Sequence, residues 1–286
     1  MAVTMAELVG DLRAETRDLA ELLAPLSPVE WDTPTPAEGW AIRDQVSHLA
    51  WFDDAAVRAV TAPDDFRAEV EIALRDGVDT DDIAARHRSM GVQELGEWFR
   101  TARARLLDVL AGLDAKARIP WYGPDMSAVS FATARLMETW AHGQDVADAL
   151  DIARAPTDRL RHVAQIGVRA LPYSFVVRGR PVPAEPVRVE LRLPSGAPLA
   201  LGSALDQSRT VDVVRGDALD FCLVVTQRRH LADVALEVRG PVATEWMAIA
   251  QAFAGPPGPG RRPGQFRRDR FRLGQFRSRV ESHKEE

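Results

Sequence analysis

Residues 137–146 read METWAHGQDV, and Glu138 and His142 stand four positions apart in an Ala-rich segment that otherwise has the pattern of a buried helix. Residues i and i+4 share one helical face, with Cβ atoms about 5–6 Å apart. Followed in both directions, Phe131, Ala134, Glu138, Ala141, His142, Asp145 and Ala149 lie along one stripe, which mixes small apolar residues with acids and an imidazole. Burying an ionised carboxylate among apolar neighbours is costly unless something positive compensates it. A bound divalent cation would compensate, and the stripe would then face the interior of a helix bundle.

The flanking sequence supplies the partner helices. Leu8, Leu12, Leu19, Leu22 and Leu23 make an apolar stripe over about 5–23, stopped by Pro25 and Pro28. A second helix follows PAEGW and runs from about Ala41 to Thr61. Residues 64–90 read as a connection with two short helical pieces, and a long helix fits 92–113. IPWYGPDMS (119–127) is a loop leading into a helix of about 127–151, with Ser127 as N-cap. A last helix, Thr157 to Val177, has Thr157 or Asp158 as its cap. After residue 180 the period changes: Val187, Val189, Leu191 and Leu193 alternate with charged residues as in a half-buried strand. RTVDVVRG and DVALEVRG read as further strands, DALDFCLVVTQ and PVATEWMAIAQAF as helices. The predicted fold class is therefore α plus α+β: a helix bundle over 1–180, a smaller α+β domain over 184–256, and a disordered Arg-rich tail over 257–286.

Composition narrows the class. A chain of 286 residues suits two domains, and no run approaches the roughly 18 apolar residues of a membrane span. The N-terminal segment has early acids and no apolar core of a signal peptide, and the single Cys222 excludes an internal disulfide, so a cytoplasmic location is expected. Only Lys116 and Lys284 are lysines among 36 basic residues, a ratio that codon bias in a GC-rich genome would produce. Residues 261–286 hold eight Arg and one Lys against one Asp and three Glu; with a whole-chain charge of −6, residues 1–260 carry −11. That acidic body argues against nonspecific binding to nucleic acid or anionic membrane.

A metal needs a third protein ligand. Of the six histidines, His283 lies in the tail, His230 beside Arg228 and Arg229, His87 in a charged connection, and His162 among Arg159 and Arg161 in an expected surface position. His48 differs: it sits about two turns into the second helix, flanked by Val46, Leu49 and Phe52.

The segment GWAIRDQVSHLAWFD (39–53) resembles the W-x-x-R-D-x-x-x-H-L segment of the DinB-like superfamily, and is most similar to the metal-binding domain of the mycothiol-dependent maleylpyruvate isomerases. Carried over residue by residue, the resemblance implies one divalent metal, usually zinc, on His48, Glu138 and His142, and a C-terminal domain of sterol-carrier-protein-like fold. It also implies mycothiol as co-substrate, whose thiolate adds to the cis double bond of a small electrophile so that rotation and elimination give the trans product; other members transfer the thiol instead. Two His and one carboxylate suit a catalytic zinc site with an open position, but the same set serves iron, and nickel and manganese also remain open. Asp44 and Asp145 are within one turn of His48 and His142, as imidazole acceptors or as plain surface acids.

Arg135 stands one turn before Glu138. An anionic substrate calls for an arginine fork, which the resemblance places on the C-terminal domain; Arg228 or Arg229 would supply it, or else form a helix-capping pair. Trp121 and Tyr122 would wall the bundle's open end, or plug its core. Cys222, between Phe221 and Leu223, reads as core. The repeated GQFR of the tail (264–267 and 274–277) interleaves Arg with Phe, as single-stranded nucleic-acid binders do, although incidental disorder is the reading adopted. The competing functional class is a non-catalytic metal-containing protein that binds a lipid or small partner.

Overall fold

In a computed structural model of the chain, residues 3–77, 80–202 and 211–266 are described. Thr4 starts the first helix with a reciprocal cap: its hydroxyl accepts from the Glu7 backbone N–H at 3.2 Å, and the Glu7 carboxylate accepts from the Thr4 N–H at 2.9 Å. Helix α1 (Met5–Leu23) buries Leu8, Leu12 and Leu19 completely or nearly so, each worth roughly 1.5–3 kcal/mol of transfer free energy. Helix α2 (Ile42–Thr61) opens with Asp44 accepting the Ala41 N–H at 2.8 Å. Helix α3 (Pro63–Asp76) begins on a proline and ends at Gly77, whose φ of 66° is the left-handed cap that glycine takes without strain. Then come α4 (Thr80–Arg86), α5 (Val92–Ala111), a two-stranded hairpin of β1 (Arg118–Ile119) and β2 (Met126–Ser127), and α6 (Ala128–Ala149).

The core of this part is α1, α2, α5 and α6: α2 lies against both α5 and α6, and α1 against the same two. Helix α6 is buried on nearly every face from Ala128 to Ala147, so its polar side chains are interior by position. The segment 119–127, expected as plain loop, is drawn into the hairpin, whose tip is held by Arg67 donating to both oxygens of Asp125 at 3.0 and 2.8 Å. Ser127 does cap α6, accepting from the Ser130 N–H at 3.3 Å.

One buried ion pair ties three helices. Arg103 of α5 donates through Nε to Asp53 of α2 at 2.6 Å and through Nη2 at 3.3 Å, while its Nη1 donates to the Thr16 hydroxyl of α1 at 2.6 Å. Burial pushes the Asp53 carboxyl up and Arg103 pulls it back.

The chain divides into two compact units, Met1–Ala149 and Leu150–Glu286. The expected boundary near 180 is therefore about 30 residues late. The expected helix 157–177 is two, α7 (Leu160–Arg169) and α8 (Leu171–Val176), broken at Ala170 ahead of Pro172. Neither expected cap is used: α7 has no side-chain cap, and the Asp158 carboxylate accepts the Ser195 N–H instead. Helix α7 belongs to the second unit because it packs on α9 (Ala218–Val225); Gly167 allows this, since a Cβ there would come within 2.7 Å of a Val225 methyl.

The sheet of this unit comprises β3 (Val187–Arg192), β4 (Pro198–Gly202), β5 (Asp212–Asp217) and β6 (Glu237–Arg239) in the order β4-β3-β5-β6, with β3 and β5 parallel and the other pairs antiparallel. Val187, Val189 and Leu191 alternate inward as expected, whereas the edge strand β4 was not foreseen. Helix α10 (Pro241–Ile249) packs on β5 and β6. Cys222 is fully buried, and burial holds its thiol well above the ordinary range, which fits core and not nucleophile.

The expectation of disorder over 257–286 fails for its first ten residues. Arg178 donates to the Gly258 carbonyl at 3.4 Å, the Gly264 N–H donates to Asp233 at 2.7 Å, and the Arg229 guanidinium lies 4.1 Å from the Phe266 ring centroid. The remainder of the tail lies outside the described residues. Among those described, no helix is long and apolar enough to cross a membrane.

Removing one partner of a buried ion pair strands the other charge. Arg103→Ala should lower the unfolding free energy by about 3–5 kcal/mol in urea titrations at neutral pH, and a paired Arg103→Met, Asp53→Leu change should recover much of it. A single-variant loss below about 1 kcal/mol would show that the pair does not anchor the bundle.

Candidate metal centre

Glu138 and His142 are one turn apart on α6, and His48 faces them from α2. His142 Nε2 lies 3.2 Å from Glu138 Oε2, and His48 Nε2 lies 3.8 Å from the same oxygen. The three donor atoms all fall within 4.8 Å of one another. Each histidine is 8% exposed, and the Glu138 side chain retains 16% exposure, so the centre is recessed but reachable.

Protonation is dictated by a directional hydrogen-bond chain. The Thr35 hydroxyl donates to the Trp40 carbonyl at 2.8 Å, so it accepts from Gln45 Nε2 at 2.9 Å. That fixes Gln45 Oε1 toward His142 Nδ1, 2.5 Å away, and Nδ1 must therefore carry the proton. With Nδ1 turned to Gln45, His142 turns Nε2 to the Glu138 carboxylate. At His48, burial, reinforced by the neighbouring His142, lowers the pKa to about 4 against the opposing pull of Glu138, so its imidazole is neutral near pH 7. Burial alone would push the Glu138 carboxyl up, but bonding to His142 and His48 and the nearby Arg135 charge hold it well below the usual range.

A divalent cation among the three donor atoms would offset the charge of the buried Glu138 carboxylate and satisfy all three at once. A tetrahedral ion with arms of about 2.0–2.1 Å separates its ligands by about 3.3 Å. The donor set and its spacing fit a divalent metal held by three protein ligands.

Aromatic rings hold the imidazoles. Trp40 stacks near His142 at 6.1 Å and His48 at 5.4 Å, with its indole N–H donating to Asp81 at 2.6 Å; Phe52 lies 4.6 Å from His48. Trp121 and Tyr122 are half-buried in one aromatic cluster: Trp121 stacks on Phe66 at 5.7 Å, and Tyr122 meets Phe52 at 5.8 Å. Burial pushes the Tyr122 hydroxyl up to about 12, so it stays protonated. Arg135 is 5% exposed, its guanidinium 5.1 Å from the Trp121 centroid and 5.7 Å from Phe52.

Other expectations need correction. Asp44 is buried, yet its oxygens serve the Ala41 N–H and Arg88 Nε at 2.9 Å, so it caps α2 and is not His48's acceptor. His48 Nδ1 has no hydrogen-bond partner among the described residues. Asp145 is 1% exposed and so is no surface acid, and His162, expected at the surface, is 3% exposed in the second unit. Arg228 Nη1 donates to the Thr226 carbonyl at the end of α9 and Arg229 Nη1 to the Arg228 carbonyl, both at 2.7 Å. Gln45 was missed, although its place three residues before His48 puts it on the same face of α2 and was the available signal.

Comparison with known proteins shows the chain's relatives. The family model of the mycothiol maleylpyruvate isomerase N-terminal domain matches residues 12–147. Uncharacterized proteins of Mycobacterium tuberculosis strains CDC 1551 / Oshkosh and H37Rv are each 46% identical over 254 residues, covering 88% of this chain and 97% of the relative. Crystal structures of a mycothiol-dependent maleylpyruvate isomerase and of a point mutant of it share the fold at a TM-score of 0.53 and 15% identity, over 79% of this chain and 90% of theirs.

Outer partners of ligating imidazoles tune metal affinity. Gln45→Leu should keep the fold and weaken zinc binding about 10–100-fold in chelator-competition titrations. An unchanged affinity would mean that the Thr35–Gln45 chain does not set the His142 tautomer.

Proposed function

The chain belongs to the mycothiol maleylpyruvate isomerase N-terminal domain family, and on that premise we propose that it is an enzyme that activates a low-molecular-weight thiol, mycothiol, at one divalent metal held by His48, Glu138 and His142, and delivers it to a small electrophile. Zinc is the metal most consistent with two imidazoles, one carboxylate and an open position. The observation that carries this reading is the convergence of the three donor atoms within 4.8 Å of one another, with His142 Nδ1 turned to Gln45 and Nε2 to the trio.

A divalent metal in this trio would supply the positive charge that shifts a thiol, with an ordinary pKa of about 8.5, to its thiolate near neutral pH. The protein's own residues do the rest. Burial keeps His48 neutral and available as a ligand. Trp40 and Phe52 fix the ring planes and keep water from that side. Glu138 contributes the single negative charge, so the loaded centre stays net positive and attracts anions.

In the isomerase form of the reaction, sulfur bonds to one carbon of a cis double bond and the π pair moves onto the conjugated carbonyl. After rotation the pair returns and expels the thiolate, leaving the trans alkene. In the transferase form the S–C bond is kept: after addition to an alkene the neighbouring carbon takes up a proton, and at a haloalkyl carbon the halide leaves with the bonding pair as sulfur attacks. We read the second unit as sterol-carrier-like, supported by its four-stranded mixed sheet and packed helices, and place the protein in the cytoplasm, where a thiol stays reduced.

The test is turnover by zinc-reconstituted protein, with mycothiol and either maleylpyruvate or a haloalkyl electrophile. Metal-dependent isomerisation or conjugation is expected, with kcat/KM falling at least about 100-fold in Glu138→Ala. Turnover that survives metal removal, or none with either electrophile in the fully loaded protein, would refute the reading.

A further inference from the structure

Arg135 is the least explained charge in the bundle. Its side chain is 95% buried by exposure (5%), and Nε and Nη1 have no hydrogen-bond partner among the described residues. Orphaned donors on a buried cation cost several kcal/mol, and native proteins rarely keep them without a use. The neighbouring acids Glu138 and Asp53 favour its charge but accept neither of these protons. Both Asp53 oxygens are taken by Arg103, and Glu138 Oε2 faces His48 and His142. The other groups that bear on it electrostatically are Arg103, which opposes its charge, and the protonated Tyr122. With a dication on Glu138, the neighbourhood of Arg135 becomes more positive still.

The walls around the guanidinium are aromatic. Trp121 and Phe52 lie beside it at 5.1 and 5.7 Å, and Trp121 is itself held by Phe66 at 5.7 Å and Phe131 at 5.0 Å. Fork-shaped donors between flat apolar walls match a planar oxyanion on a flat carbon skeleton. We propose that Arg135 is the anion-binding residue of a subsite beside His48, Glu138 and His142, taking the carboxylate of a flat unsaturated acid between Trp121 and Phe52. This rests on the thiol-transfer reading and deepens it: Arg135 stands three residues before Glu138 on α6, so an acid held there lies about one helical turn from the three candidate ligands.

The probe is maleate, titrated calorimetrically into full-length zinc-loaded protein, with zinc content measured on the same samples. Arg135→Gln should keep its zinc and bind maleate at least about 30-fold more weakly, the scale of a lost charge-assisted fork. Arg135→Lys, which keeps the charge without the fork, should restore only part of the affinity. The same titration on chelator-stripped protein separates the two claims: Arg135-dependent maleate binding there supports the subsite even if the metal reading fails. Equal maleate affinity in wild type and Arg135→Gln overturns the proposal. Should Arg135→Gln not fold, the wild-type arginine Nε–H resonance that is absent from Arg135→Lys must shift on adding maleate, and its failure to shift overturns the proposal equally.

Discussion

Two imidazoles and a carboxylate that meet inside a helix bundle form an arrangement no apolar core would choose. The charge of the buried carboxylate has to be offset, and a divalent cation among the three donors would do so while the His142 Nδ1 proton stays on Gln45. The bundle is built so that these donors must meet. Helix α6 is enclosed on nearly every face, which forces Glu138 and His142 inward, and α2 brings His48 and Gln45 to the same point from one face one turn apart. Around them Trp40 and Phe52 restrict the rings, so that the geometry is set before any ligand arrives.

Holding that centre requires a bundle that does not slide. Apolar contacts along α1 and α5 supply most of the driving force but little register. The Arg103–Asp53–Thr16 network supplies register, because its bonds run between three helices and are satisfied in one alignment only. Arg135, close by, is the counterexample: the same residue type, equally buried, with donors left open. One arginine is structural because its acceptors are in place, and the other is available because they are not.

Much of the bundle was legible in sequence because leucine and alanine periodicity is strong over helices of 19 to 22 residues. Glu138 and His142 stood out by their spacing on one helix, but His48 was joined to them only through the resemblance of its segment, since the pairing of α2 with α6 is a long-range fact that spacing does not encode. Gln45 escaped notice because an amide carries no charge, and its role emerges only from where Thr35 and Trp40 point. Asp44 was assigned to His48 by sequence proximity, yet a residue at the third position of a helix is drawn first to the free N–H groups at its start. The unit boundary was misplaced because Pro and Gly near 180 look like a linker, whereas the close approach of Gly167 to Val225 binds α7 into the second unit.

The most direct test is metal content by mass spectrometry on tag-free protein after zinc addition and dialysis, wild type beside His48→Ala. The account predicts about one zinc per chain in wild type and its near-complete loss in the variant, because three protein ligands would fall to two. Equal zinc in both proteins, or none in either although both remain folded, would contradict it and leave His48, Glu138 and His142 as buried polar structure.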